Sequence, residues 1–124
     1  MILGIGTDLL DIRRIEKALA RTPGLAARIL TVAELEQFNQ SKQPVNFLAK
    51  RFAAKEAVVK ALGTGIGRGI SWQHFEVSYD SLGRPLISLN GAAKDKADEL
   101  GIQRIHLSYT DETDHVVAFA VAES

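Results

Sequence analysis

The pattern of hydrophobic and polar positions changes its period along the chain. In the first half, apolar residues recur every three or four positions, which is typical of helices packed on one side. In the second half, apolar and polar residues largely alternate, which is typical of half-buried strands. The predicted elements are a strand at 2–5, a helix from 12 that ends before 23, a helix capped at 31 that runs through 38, a long helix between 44 and 63, strands at 75–79 and 86–89, a helix at 92–100, and strands at 102–109 and 115–121.

This order, β-α-α-α-β-β-α-β-β, predicts an α+β fold with mostly antiparallel strands. The chain of 124 residues is long enough for one modest core, and no linker, repeat or low-complexity segment divides it. We therefore expect residues 1–124 to form a single domain.

The long helix between 44 and 63 carries charges where a packed helix is expected to be apolar. At about 100° per residue, Lys55 falls inside the apolar arc of this helix, Glu56 borders the arc, and Lys60 follows one turn later. Burying a cation without a partner costs roughly several kcal/mol, so the pattern predicts that the helix faces a polar cavity. Alternatively, Lys55 extends to solvent and Glu56–Lys60 is an ordinary exposed pair.

Two carboxylates are candidates for a metal site. Asp8 follows the first predicted strand, and Asp11 is the better N-cap for the next helix, which leaves Asp8 free for another task. Together with Glu56 it could hold one hard divalent ion, and magnesium typically takes one or two protein carboxylates. An Asp after Gly-Thr is as often a simple turn or cap residue.

The run GTGIGRG at 63–69 invites comparison with phosphate-binding loops. It lacks the Lys-Ser/Thr ending of a Walker motif and follows a helix, whose end carries partial negative charge. Phosphate binding here would depend on loop N–H groups, Arg68 and neighbouring lysines. The motif alone favours a helix stop followed by a flexible turn.

Composition and charge exclude several classes of function. The hydrophobic content is 46% and the charged content 24%, as in globular proteins, and the net charge of zero argues against general binding to nucleic acid or acidic membranes. The absence of Cys excludes disulfides, thiol nucleophiles and the usual zinc sites. The start MILGIGTDLL is too short for a signal peptide, and no apolar run approaches a membrane span, so we expect a cytoplasmic protein.

One region departs from this neutral balance. Between residues 12 and 30, five basic residues face a single acidic one, Glu16. The surplus would suit an acidic protein partner, although a solvated helix face is the commoner explanation for so short a run. The basic residues are Arg13, Arg14, Lys17, Arg21 and Arg28.

Two segments together carry a resemblance to a known family. The segment GIGTDLLDIRRIE at 4–16 resembles the opening motif of the holo-acyl-carrier-protein synthases. The segment FAAKEAVVKALG at 52–63 resembles the second signature of the phosphopantetheinyl transferases: an aromatic residue, two variable residues, Lys-Glu-Ala, and a Lys four residues after the Glu. The chain departs from many members at Tyr109-Thr110-Asp111, where they carry a His in the turn after the fourth strand.

The resemblance implies a phosphopantetheinyl transferase fold, with a mostly antiparallel sheet packed against a long helix. It also implies transfer of phosphopantetheine from coenzyme A to a serine of apo-acyl carrier protein. Asp8 and Glu56 would hold Mg²⁺ against the pyrophosphate, and Lys60 would stabilise the developing charge. Either Glu56 or a metal-bound water would take the serine proton. The coenzyme A site would be lined by the loop at 63–67 and by Lys55, Gly63, Gly65 and Arg68.

The resemblance further implies two protein partners. The basic region would meet the acidic acyl carrier protein through Arg13, Arg14, Arg21 and Arg28, with Arg14 as the first choice. The small members of the family are homotrimers with sites at subunit boundaries, and the resemblance implies the same for this chain. Such an association would give a small domain additional core.

Two alternatives from other classes remain open at this point. A magnesium-dependent phosphohydrolase would use the same two carboxylates with water as the nucleophile. A non-catalytic module would bind acyl carrier protein through its basic helix, but such a module has no need of both Asp8 and Glu56.

Overall fold

The computed structural model describes residues 1–124 and confirms the predicted mixture of helices and antiparallel strands. A short 3-10 turn at Trp72–His74 leads into the second strand. The strands are β1 (Ile2–Asp11), β2 (Phe75–Tyr79), β3 (Pro85–Leu89), β4 (Arg104–Asp111) and β5 (His115–Glu123). The helices are α1 (Ile12–Arg21), α2 (Leu25–Ile29), α3 (Val32–Gln40), α4 (Pro44–Leu62) and α5 (Gly91–Glu99).

The strands form two separate antiparallel sheets. One has the order β1-β5-β4, and the other is the β2-β3 hairpin. Helix α4 packs against β1 and β5 on the inner face of the three-stranded sheet. This face is built from small residues, since Ala118, Ala120 and Ala122 of β5 are fully buried. The small side chains let the helix approach the sheet closely.

Two glycines of β1 bring α4 closest to the sheet. A Cβ atom on Gly4 would overlap the carbonyl oxygen of Ala61, and one on Gly6 would overlap that of Ala57. Glycine in a strand interior often marks such a close backbone approach. The packing therefore fixes the position of α4 along β1.

The ends of several elements differ from the prediction. The first strand does not end at residue 5 but continues to Asp11, because Gly6 serves helix packing and not chain reversal. Asp8 consequently lies within the strand, opposite Ala118, and not after it. The short helix α2 was not predicted, because its five residues follow Pro23-Gly24 and give too short a pattern. The predicted N-cap at Asp11 and the capping box at Thr31 are confirmed.

A single cluster of 26 buried residues forms the hydrophobic core, and α4 contributes more of them than any other helix. None of the helices combines the length and the apolar character that a membrane span requires.

Candidate active site

The contact between β1 and α4 brings Asp8 and Lys60 together. Side chains alternate along a strand, so Asp8 lies on the same face of β1 as Gly4 and Gly6, the face that contacts α4. The Lys60 ammonium donates hydrogen bonds to Asp8 Oδ1 at 3.2 Å and to the carbonyl oxygen of Thr7 at 2.9 Å. The Asp8 side chain is 16% exposed and that of Lys60 is 53% exposed, so the pair is open to solvent on the lysine side.

Glu56 joins this pair from the preceding turn of α4. Residues four apart on a helix are neighbours on one side of it, so the Glu56 side chain begins next to that of Lys60. The exposed Glu56–Lys60 pair considered above does not form, because Lys60 bonds to Asp8 and Glu56 Oε1 accepts a hydrogen bond from Trp72 Nε1 at 2.9 Å. Asp8, Glu56 and Lys60 thus share one corner of the molecule.

The donor atoms at this corner fit a hard divalent cation. Asp8 and Glu56 supply carboxylate oxygens only, and the second oxygen of each accepts no hydrogen bond from the protein. No group of three or more His, Cys, Asp or Glu side chains is spaced to bind a metal. Two carboxylates are nevertheless a usual protein contribution for Mg²⁺, which completes its coordination with water and phosphate oxygens.

Lys55 lies elsewhere, and both interpretations of its position were wrong. Its side chain has no exposed surface, and its ammonium bonds to Glu34 Oε1 at 2.6 Å and to the Ile29 carbonyl at 2.7 Å. The residue therefore neither faces a polar cavity nor reaches solvent. Its ammonium is buried and bonded within the chain, so the structure lends no support to the coenzyme A contact that the resemblance implies, and that contact stays a prediction.

Glu34 is the buried partner that the sequence pattern did not identify. Besides Lys55, its carboxylate accepts hydrogen bonds from Arg51 Nη1 at 3.2 Å, from the Val77 N–H at 2.9 Å and from the Thr31 N–H at 3.0 Å. Only its capping role was visible in the sequence, as the last residue of the Thr31–Glu34 pattern. Glu34 therefore connects α3, α4 and β2 inside the core.

Burial and charge act against each other on this ion pair. Burial by itself would raise the pKa of Glu34, but the adjacent Lys55 ammonium and the backbone N–H donors outweigh it, so the pKa lies below its usual range. Burial also lowers the pKa of the Lys55 ammonium, and Glu34 offsets this effect only in part. The Glu34 carboxylate is thus ionised at neutral pH, and its buried charge depends on these donors for stabilisation.

The glycine-rich segment after α4 begins as a helix stop. Gly63 caps α4 in the left-handed region with φ of 75°, as expected for such a residue. Gly65 also has positive φ, and so does Arg68, at 53°, which is uncommon for a residue with a side chain. Arg68 is exposed and forms no ion pair within the chain. The loop lies directly after the helix that carries Glu56 and Lys60.

The basic region of α1 and α2 is exposed, as its charge pattern indicated. Arg14, Arg21 and Arg28 are exposed and form no ion pairs within the chain. Arg13 differs, because its guanidinium bonds to Asp11 Oδ2 at 2.7 Å and holds the pKa of that carboxyl well below its usual range. Asp11 in turn caps α1 by accepting from the Arg13 N–H. The unpaired cations are therefore Arg14, Arg21 and Arg28 together with Lys17.

The segment Tyr109-Thr110-Asp111 is not in a turn, because β4 extends to Asp111. Asp111 lies 3.7 Å from the Lys50 ammonium, and the Tyr109 ring packs edge-on against Tyr79.

Trp72 is the residue of the candidate site that sequence reasoning missed. It belongs to no recognised motif, and only its status as the single tryptophan set it apart.

Comparison with known proteins places the chain in a family. A family model described as the 4'-phosphopantetheinyl transferase superfamily matches residues 4–120. The chain belongs to this superfamily. The match covers the corner formed by Asp8, Glu56 and Lys60, and it confirms the resemblance carried by the two motifs.

Individual members of the superfamily are similar along the whole chain. The holo-[acyl-carrier-protein] synthase of Vibrio cholerae is 54% identical over 99% of this chain and 98% of its own. The crystal structure of the synthase from Neisseria meningitidis is 46% identical, covers 100% of both chains and has a TM-score of 0.94. The Bacillus anthracis synthase, in complex with CoA (3',5'-ADP), is 37% identical with a TM-score of 0.84 over 100% of this chain and 98% of that one.

Proposed function

We propose that this chain transfers the phosphopantetheine arm of coenzyme A to a serine of apo-acyl carrier protein, with release of adenosine 3',5'-bisphosphate. The observation that carries the proposal is the meeting of Asp8, Glu56 and Lys60 at the β1–α4 contact, in a member of the phosphopantetheinyl transferase superfamily. A solved relative bound to CoA (3',5'-ADP) supports coenzyme A as the donor. The comparisons lend no support to a phosphohydrolase or to a non-catalytic binding module.

The reaction exchanges the phosphoanhydride bond of coenzyme A for a phosphate ester bond to serine. The serine oxygen forms a bond to a phosphorus of the coenzyme A pyrophosphate, and the bond from that phosphorus to the bridging oxygen breaks. The bridging oxygen leaves on adenosine bisphosphate with its negative charge, and the serine loses its proton. Catalysis then requires cations at the developing charge and an acceptor for the proton.

The chain's own residues can meet both requirements. The Lys60 ammonium is half exposed and held by Asp8 and by the Thr7 carbonyl, so a cation is already oriented towards solvent at this corner. Glu56 carries a carboxylate oxygen without a protein donor, and this atom is a candidate acceptor for the serine proton. Asp8 and Glu56 would together hold Mg²⁺. When bound, that ion supplies positive charge to the pyrophosphate oxygens.

The unpaired cations of α1 and α2 would receive the carrier protein. Arg14, Arg21 and Arg28 project from a surface without neutralising partners. Such a surface would attract an acidic protein and steer its approach. Arg13 contributes less to this role, because it is engaged by Asp11.

The proposal includes a homotrimer with sites at subunit boundaries. The outer face of the three-stranded sheet exposes Ile5, Leu9, Val117 and Phe119, and the strand register places them side by side. Leu9 is 68% exposed and Phe119 is 46% exposed, which supports coverage of this face by other subunits. Sedimentation at several protein concentrations tests this oligomeric state.

The location of the protein in the cytoplasm stays a prediction.

One assay tests the function directly. Apo-acyl carrier protein, coenzyme A and Mg²⁺ are incubated with the enzyme, and the intact mass of the carrier is followed for addition of the arm. Asp8→Ala and Glu56→Ala are each expected to slow transfer about a hundredfold or more, since each removes a preorganised charge. Glu36→Ala, at an exposed carboxylate of α3, is the matched control.

The outcomes of this assay separate the alternatives. Release of adenosine bisphosphate without a gain of mass on the carrier would indicate a phosphohydrolase. Carrier binding without either product would indicate a binding module. Near-normal transfer by either purified carboxylate variant at limiting Mg²⁺ would remove these residues from the site.

A further inference from the structure

Trp72 contacts the candidate site from outside α4. Its indole Nε1–H donates to Glu56 Oε1 at 2.9 Å. Its ring packs on Phe52, one turn before Glu56 on the same helix, with the ring centroids 5.8 Å apart and the planes tilted by 47°. The indole is therefore held by a ring contact and a hydrogen bond at two successive turns of α4.

The segment that carries Trp72 is itself well fixed. The N–H of Ser71 donates to His74 Nδ1 at 3.2 Å, which closes the 3-10 turn. The Gln73 amide donates to the Ala27 carbonyl at 2.6 Å, and the Asn90 N–H donates to the His74 carbonyl at 2.9 Å. These bonds tie the turn to α2 and to the start of α5. The indole thus offers Glu56 a donor at a fixed position.

We propose that Trp72 is a positioning residue for Glu56, an inference that rests on the function proposed above. A free Glu side chain turns about three bonds and samples several orientations of its carboxylate. The indole hydrogen bond fixes Oε1 and leaves Oε2 without a protein donor, available to Mg²⁺ or to the serine proton. Partners that orient a ligating carboxylate from behind typically contribute tenfold to a hundredfold in metal affinity or activity.

The single tryptophan allows a test that does not depend on turnover. The chain has one indole N–H, so a ¹⁵N-labelled sample gives one indole resonance without ambiguity. Glu56→Ala is expected to move this resonance upfield, because the charged acceptor is lost. Mn²⁺, added as a paramagnetic probe, is expected to broaden the resonance in the wild type and to leave it sharp in Glu56→Ala.

A second test separates positioning from packing. Trp72→Phe keeps a ring against Phe52 and removes only the N–H donor. We expect kcat to fall about tenfold to a hundredfold, with the KM for coenzyme A within about twofold of the wild type and Mn²⁺ affinity reduced in the same sense as kcat. Phe52→Leu removes the ring contact and keeps the donor, so it should retain the indole resonance position and most of the turnover.

The proposal is overturned if the indole resonance does not respond to Glu56→Ala, or if Trp72→Phe has wild-type kcat and wild-type Mn²⁺ affinity. It is equally overturned if Phe52→Leu and Trp72→Phe lose kcat to the same extent, since the effect would then come from packing. Failure of the proposed function has a different signature: the wild type would not transfer the arm, while the indole would still respond to loss of Glu56.

Discussion

Replacing Lys55 by Met tests whether this residue of the signature serves the fold and not the ligand. Met keeps much of the length and apolar character of the lysine stem but removes the ammonium. Glu34 would then keep three of its four donors, namely Arg51 and the N–H groups of Thr31 and Val77. The Ile29 carbonyl would lose its lysine donor inside the core.

The structure sets the size of the expected effect. Removing one partner of a buried ion pair typically costs about 3–5 kcal/mol. Since Arg51 remains on Glu34, we expect the lower end, about 3 kcal/mol, from a total stability on the order of 5–15 kcal/mol. With a urea dependence of about 2 kcal/mol per molar, the unfolding midpoint should fall by roughly 1.5 M.

Urea unfolding at pH 7 is the assay, at one protein concentration because association would contribute to stability. Lys42→Met is the control, because Lys42 is exposed and forms no ion pair, and it should stay within about 0.5 kcal/mol of the wild type. At urea concentrations below the unfolding transition, Lys55→Met should have the same KM for coenzyme A as the wild type. Wild-type stability together with a raised KM would refute this reasoning and return Lys55 to the coenzyme A site.

The other predictions concern the site, the docking surface, the helix contact and pH. Lys60→Met should lower kcat much more than it raises the KM for coenzyme A in steady-state assays, because its charge acts mainly in the transition state; a change in KM alone would make it a binding residue. Arg14→Glu should lower kcat/KM for the carrier protein. The difference in kcat/KM between wild type and variant should narrow as salt is added, because at roughly 0.1 M salt the field of an exposed charge is screened over about 10 Å. Equal kcat/KM values at low salt would mean that the carrier docks elsewhere. Gly6→Ala should lower the free energy of unfolding in urea by about 1–3 kcal/mol, because its Cβ would overlap a helix carbonyl. Gly24→Ala is the control, since its Cβ meets no atom within 4 Å and should leave the stability unchanged. Equal urea midpoints for the two variants would contradict the close approach of α4 to β1. Glu34 has a pKa below the ordinary 4.5 in the folded protein, so its ionised carboxylate contributes fully to stability above that pH. This contribution is lost as the pH falls through the pKa of Glu34 in the folded state. A urea midpoint that stays constant from pH 7 to about pH 3 would contradict this.

The sequence was most informative where a local pattern determines the structure. The N-cap at Asp11, the capping box at Thr31 and the helix stop at Gly63 depend on residues close in the chain, and all three were predicted correctly. The length of β1 and the position of Asp8 within it were not, because Gly6 was taken as the end of a strand. Its actual reason, contact with a helix fifty residues later, has no local signal.

The same limit applies to the candidate site. The family resemblance pointed to Asp8, Glu56 and Lys60, and the structure places them at one corner, although the motif does not reveal that Lys60 pairs with Asp8 and not with Glu56. Trp72 was missed because its link to Glu56 joins residues on different elements. Such contacts arise only once α4 and the segment after it have packed together.

Adjacent residues of the Lys-Glu-Ala run have opposite environments, and the geometry of the helix explains why. Successive residues on a helix point about 100° apart, so Lys55 and Glu56 cannot face the same neighbour. Lys55 points into the core, where Glu34 holds it, and together with the other buried residues of α4 this contact sets the rotation of the helix about its axis. That rotation directs Glu56 towards Trp72 and carries Lys60 to Asp8. A signature that resembles a list of ligand contacts therefore combines one residue that helps to orient the helix with two that the helix presents to the candidate site.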